Sequence, residues 1–65
     1  MHKYTTEFYK NDTRYRVYTH KYEHHWKTVV HRIEPDRRPL ELERQTFNSK
    51  NDALEFHNSM ILILG

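Results

Sequence analysis

Apolar and polar residues alternate through most of the first 47 positions, in short stretches separated by turn-forming residues. Side chains on a β-strand point to opposite faces in turn, so this period of two predicts strands. Asn11 and Asp12 favour a tight turn, and Pro35 and Pro39 mark a loop. The adjacent Val29-Val30 pair predicts either a strand covered on both faces or a bulge. The predicted strands are about residues 4–9, 13–20, 26–33 and 40–47.

The pattern changes near residue 47, where apolar residues begin to recur at three- and four-residue spacing. This spacing places side chains on one side of a helix, and it predicts an amphipathic helix from about residue 49 to about residue 61. Ser49 is a suitable N-cap, and Asp52 puts a carboxylate at the positive end of the helix dipole. The apolar residues at 60–64 could continue the helix or form a short strand, and we expect the helix to end near 61. The stripe consists of Ala53, Phe56, His57, Met60 and Ile61.

Short consecutive strands followed by one helix predict an α+β fold in a single domain, residues 1–65. We expect a four-stranded antiparallel β-sheet, connected as a meander, with the C-terminal helix packed on one face. In the fourth strand, alternation predicts Leu40 and Leu42 facing the core and Glu41 and Glu43 facing outward. The second face of the sheet stays open to water or to a partner, and any function is expected there.

Composition limits the classes of protein that this chain can represent. A 65-residue chain buries only about 60% of its unfolded surface, and without cysteine it has no disulfide to add stability. The longest apolar run, Met60 to Leu64, is far below the ~20 residues of a membrane-spanning helix. Residues 2–6 are polar and do not form a signal peptide, so we expect a cytoplasmic protein.

Charge is distributed unevenly along the chain. Residues 1–39 carry nine Lys and Arg against five Asp and Glu, whereas residues 40–65 carry two against four. Basic side chains neutralise phosphates and aromatic rings stack on bases, so the front of the chain suggests a nucleic-acid surface. The alternative, that these are ordinary solvated residues of an outward sheet face, stays open. The candidate binding residues are Arg14, Arg16, Tyr18 and His20 on the second strand, Lys27 on the third, and Arg37 and Arg38 on the following loop.

The segment from about residue 26 to 57 resembles a known DNA-binding domain. Trp26 lies in a strand, a further strand follows, and Phe47-x-Ser49-Lys50-x-Asp52-Ala53 opens the helix. This order is similar to the arm-binding domain at the N-terminus of phage-type integrases, and to similar small phage proteins. In that family a three-stranded sheet on one helix inserts its open face into the DNA major groove. Thr46 replaces the family's usual glycine before the phenylalanine.

Catalytic and metal chemistry have little support in the sequence. The chain has one glycine and no cysteine, and it contains neither a nucleophile elbow nor a phosphate-cradling loop, so we expect no enzyme and no cofactor. His20 and His24 have the four-residue spacing of a metal pair, but that spacing joins two ligands only on a helix. His57 is expected to be a half-buried packing residue.

The end of the chain suggests a second class of function. The apolar residues after Ser59 exceed what one side of a terminal helix needs, so they either pack on the first strand or form a dimer or partner surface. The alternative function is therefore a protein-binding module, such as an inhibitor of a host or defence enzyme, acting as a homodimer. The predicted patch is Met60, Leu62, Ile63 and Leu64.

Overall fold

The computed structural model describes residues 2–65 and contains four strands followed by one helix. The strands form one sheet in the order β1-β2-β3-β4, and each neighbouring pair is antiparallel. The helix packs against the sheet, so the predicted α+β fold is confirmed. The elements are β1 (Lys3–Lys10), β2 (Thr13–Tyr22), β3 (His25–Ile33), β4 (Leu40–Phe47) and α1 (Lys50–Leu64).

Two tight turns connect the first three strands. Asn11 and Asp12 both have positive φ, at 52° and 64°, which suits a two-residue hairpin turn whose twist matches that of the flanking strands. The next turn places Glu23 at φ 55° without help from glycine or asparagine. Because this second turn lacks the usual turn residues, its position was the hardest to predict, and β2 extends two residues beyond its predicted end.

The core lies between α1 and the two central strands, and it is small and partly polar. Val17 and Val30 are paired across β2 and β3, and both are fully buried with Ala53 of the helix. Val29 points to the other face and is only 1% exposed. The first interpretation of the Val29-Val30 pair is therefore confirmed, because each face is covered there. The bulge interpretation is wrong for β3, which keeps its alternation against β2; the register shift after Val30 comes from an extra residue, Leu42, in β4.

The register shift makes the predicted orientation of Glu43 wrong. Glu41 faces outward as predicted, and Leu40 pairs with Arg32 on the helix side. Glu43 pairs with Val30 and lies on the helix side, whereas Leu40 and Leu42 remain 48% and 40% exposed. Glu41 pairs with His31, so Leu42 has no partner on β3. A strand with one extra residue loses its strict alternation, and an edge strand tolerates this because only one neighbour fixes its register.

The helix begins as predicted and ends later than predicted. Ser49 Oγ accepts a hydrogen bond from the Asp52 N–H at 3.1 Å and so caps the N-terminus. The helix continues to Leu64 rather than stopping near 61, and Gly65 N–H donates to the Ile61 carbonyl at 2.8 Å. Among residues 2–65, no helix has the length and hydrophobicity needed to cross a membrane.

Candidate functional site

The sheet surface opposite α1, here called the open face, collects most of the predicted binding residues. Side chains on each strand point alternately to the helix and away from it, and the open face consists of those that point away. The pairing of the strands shows which residues these are. It carries five Lys and Arg side chains against two Glu. The open face comprises Lys3, Thr5, Glu7 and Tyr9 on β1; Arg14, Arg16, Tyr18, His20 and Tyr22 on β2; His25, Lys27, Val29, His31 and Ile33 on β3; and Glu41, Arg44 and Thr46 on β4.

Three rings form a cluster at the centre of the open face. The Tyr18 ring lies 5.6 Å from the His20 ring and 5.5 Å from the His31 ring, measured between centroids. Val29 pairs with Tyr18 in the register, and side chains of the open face cover it almost completely. The cluster therefore offers aromatic surface above a packed sheet, and all three rings remain partly exposed.

Two of the predicted arginines are held by a carboxylate that the sequence interpretation did not consider. Glu7 accepts hydrogen bonds from Arg14 Nε at 3.0 Å and from Arg16 Nε at 2.7 Å, and Arg14 Nη2 also donates to it. Hydrogen bonds from Arg14 and then Arg16 lower the pKa of Glu7, and the same carboxylate raises the pKa of Arg14. A two-residue turn at Asn11-Asp12 sets Glu7 opposite Arg16, so the turn was the signal that could have revealed this contact.

The remaining cations of the open face differ in how they are neutralised. Arg44 donates two hydrogen bonds to Glu41, at 3.0 and 2.6 Å. Lys27 Nζ lies 4.8 Å from the centre of the Tyr22 ring, a cation–π contact that leaves its charge uncompensated. Within residues 2–65, neither Lys3 nor Lys27 forms an ion pair with a carboxylate. These two lysines are therefore the positive charges most available to a ligand.

The predicted loop arginines lie outside the strands that form the open face. Arg37 and Arg38 belong to the segment between β3 and β4, beyond the end of the sheet, and both are exposed. Arg37 Nε approaches Glu34 at 3.9 Å, and Glu34 also binds Arg32. The structure thus brings together Arg14, Arg16, Tyr18, His20 and Lys27, whereas Arg37 and Arg38 belong to a separate loop.

The histidines do not assemble into a metal-binding group in the described part of the chain. His20 lies on the open face, and His24 lies in the exposed turn after β2. Residues 2–65 contain no set of three or more His, Cys, Asp or Glu side chains placed to hold a metal ion.

His57 is buried and organises a hydrogen-bonded chain between helix and sheet. Its Nδ1 lies 2.8 Å from Thr19 Oγ1, and its Nε2 lies 3.1 Å from Thr6 Oγ1. Thr19 Oγ1 lies 2.7 Å from Thr28 Oγ1, which donates to the Ala53 carbonyl at 3.1 Å. The sequence predicted a half-buried packing residue; the network itself was missed because its members are distant in the chain.

One assignment of protons satisfies every member of this chain. Thr28 uses its only proton on Ala53, so Thr19 must donate to Thr28 and accept from the Nδ1–H of His57. The unprotonated Nε2 of the neutral ring then accepts from Thr6. Burial lowers the pKa of His57, which favours this neutral form. The two hydrogen bonds of the His57 ring therefore link β1 and β2 to the helix.

The predicted apolar patch is only partly exposed. Leu62 and Ile63, adjacent on the last turn of α1, are 82% and 70% exposed. Met60 and Leu64 are half-buried against the rest of the domain. The exposed part of the patch is thus two residues wide.

No protein-family model, curated protein or solved structure matches the chain. The resemblance to integrase arm-binding domains therefore stays a prediction. Residues 2–65 form four strands before the helix, one more than the sheet described for that family.

Proposed function

We propose that this protein binds nucleic acid through the open face. The observation that carries the proposal is the grouping of five cationic side chains and only two carboxylates around the Tyr18, His20 and His31 rings. Phosphates are neutralised by Lys and Arg, while rings supply stacking surface that accepts any base. Both kinds of group are present on one surface, which supports the proposal.

The proposed role is that of a non-catalytic accessory protein of the phage or mobile-element type. Its phage or mobile-element character rests on the predicted resemblance alone. Its binding role rests on the open face, where the uncompensated lysines Lys3 and Lys27 flank the aromatic cluster on β1 and β3. Affinity for nucleic acid should therefore decrease as salt concentration rises. The slope of log affinity against log salt concentration should be proportional to the number of phosphates contacted.

Replacing Glu7 by Gln should strengthen nucleic-acid binding. Glu7 neutralises part of the charge of Arg14 and Arg16, so Glu7→Gln frees both guanidinium groups for phosphates. We expect roughly tenfold tighter binding at about 0.1 M salt. The slope of log affinity against log salt concentration should also become steeper, by the amount expected for up to about two additional phosphate contacts. Fluorescence anisotropy with a labelled oligonucleotide, repeated over a series of salt concentrations, measures both quantities.

The matched control is Glu55→Gln, which changes the net charge equally on the exposed side of α1. It should change affinity much less, because salt screens charges that lie more than about 10 Å from the ligand at 0.1 M. Equal strengthening by both variants would show a general charge effect rather than binding at the open face. An unmodified protein that binds no better than an unrelated protein of similar charge would contradict the proposed function itself.

The exposed pair Leu62 and Ile63 supports a second candidate, a protein-binding module that acts as a homodimer. Two consecutive aliphatic side chains that are both strongly exposed favour burial against another protein surface. Sedimentation equilibrium tests self-association. The protein should be dimeric at high concentration, and the double variant Leu62→Gln, Ile63→Gln should be monomeric. A monomer at every concentration would exclude the homodimer.

A further inference from the structure

A hollow of about 300 Å³ lies on the open face between β1 and β2. Tyr18 and His20 line it from β2, and Lys3 and Thr5 line it from β1. Thr19 also lines it, but its hydroxyl is bonded to His57 and Thr28 on the helix side. The Tyr18 ring, the hydrogen-bonding groups of Thr5 and His20, and the Lys3 ammonium group therefore surround the same space.

This combination matches the chemistry of a nucleotide. A base is a flat ring with hydrogen-bonding edges, and its backbone carries one negative charge per phosphate. The Tyr18 ring can stack on the face of the base, and the Thr5 hydroxyl and the His20 imidazole can each donate or accept at its edge. Lys3 has no ion pair within residues 2–65, so its charge remains available to the phosphate.

The width of the sheet argues against a duplex as the ligand. Four strands spaced about 4.8 Å apart span about 14 Å between the outer backbones, before side chains are added. The DNA major groove is about 12 Å wide and admits an α-helix or a two-stranded ribbon. Base faces inside a duplex are covered by their neighbours, so Tyr18 could not stack on them without extruding a base.

We infer that the open face binds single-stranded nucleic acid in preference to duplex. One unpaired base occupies the hollow against Tyr18, and its phosphate contacts Lys3. This inference rests on the proposed function and specifies the ligand of the same surface.

The test compares a labelled single strand of about 12 nucleotides with a duplex of the same sequence. This length lies within the size range of known single-strand binding sites. DNA and RNA forms are both measured at about 0.1 M salt. We expect the single strand to bind at least about tenfold tighter than the duplex. Tyr18→Leu should weaken single-strand binding by roughly 5- to 100-fold, the loss expected for one stacked base. Tyr18→Phe keeps the ring and should retain most of the affinity.

A second variant tests the hollow while keeping Tyr18, because the loss of the Tyr18 ring can also unfold the protein. Thr5→Leu narrows the hollow from the exposed edge strand and leaves Tyr18 in place, so it should also weaken single-strand binding. Trp26, on the helix side, reports folding of each variant by its fluorescence. Duplex binding equal to or tighter than single-strand binding, or full affinity in both the Tyr18→Leu and Thr5→Leu variants, would overturn the inference and leave the proposed function standing. No salt-dependent binding to either form would overturn both.

Discussion

His57→Ala should destabilise the protein by about 2–4 kcal/mol, because it combines a cavity with unpaired buried hydroxyl groups. The substitution removes the acceptor of the Thr6 hydroxyl and the N–H donor to Thr19, so it removes the side-chain hydrogen bond between the middle of the helix and β1. A domain of this size has a total stability of only about 3–5 kcal/mol, so a large fraction of the variant should be unfolded. Urea denaturation followed by Trp26 fluorescence and circular dichroism measures the change.

The control for this variant is His24→Ala, which removes an exposed imidazole from the turn after β2. It should change stability by less than about 0.5 kcal/mol. The pH dependence gives an independent signature of the buried ring. The folded-state pKa of His57 is lowered, so its stabilising contribution is complete above about pH 6.5 and decreases as the pH falls below that value. The stability gap between the unmodified protein and His57→Ala should therefore narrow on acidification, and a constant gap would show that His57 is not buried in the neutral form.

The parts of the fold that the sequence predicted correctly are those encoded by neighbouring residues. Alternation placed β1, β2 and β3, and Asn11-Asp12 formed the predicted turn with positive φ at both residues. Ser49 caps the helix as its position relative to the apolar stripe indicated. In each case the physical cause, whether side-chain period, turn conformation or capping, acts within a few residues.

The features that were not predicted depend on how strands are paired. A one-residue register shift after Val30 changes which side chains of β4 face the helix, and no local signal in residues 40–47 indicates it. The same limit hid the contact of Glu7 with Arg14 and Arg16, since residues 7 and 16 become neighbours only when the hairpin register is known. Single-residue properties therefore identified the cations of the candidate site but not their partners.

The buried network and the open face use the two sides of the same strands. Thr19 bonds His57 on the helix side, while its neighbours Tyr18 and His20 form the ring cluster on the other side. A sheet held to its helix by directional hydrogen bonds keeps β1 and β2 in fixed register. The hollow between these strands is therefore a preformed feature, and preformed sites lose less entropy on binding.

Reversing the charge of Lys3 and Lys27 should abolish most nucleic-acid binding. Both lysines lie on the open face without a carboxylate partner among residues 2–65. A charge pair at 4 Å in water contributes about 1 kcal/mol, and reversal replaces attraction by repulsion at two positions, which is about 4 kcal/mol before screening by salt. Screening at about 0.1 M salt reduces this, and an affinity loss of roughly 100-fold is expected there. The slope of log affinity against log salt concentration should also become shallower, by the amount expected for the loss of about two phosphate contacts.

The decisive comparison is the double variant Lys21→Glu, Lys50→Glu, which lowers the formal net charge from +2 by the same amount. Lys21 pairs with Trp26 on the helix side, and Lys50 Nζ lies 5.3 Å from the centre of the Tyr4 ring. At about 0.1 M salt these charges are screened from a ligand on the opposite face. The control should therefore retain affinity within a few fold, because phosphates contact only the open face. If the two double variants lost affinity equally, binding would follow net charge alone, and the open face would have no special role.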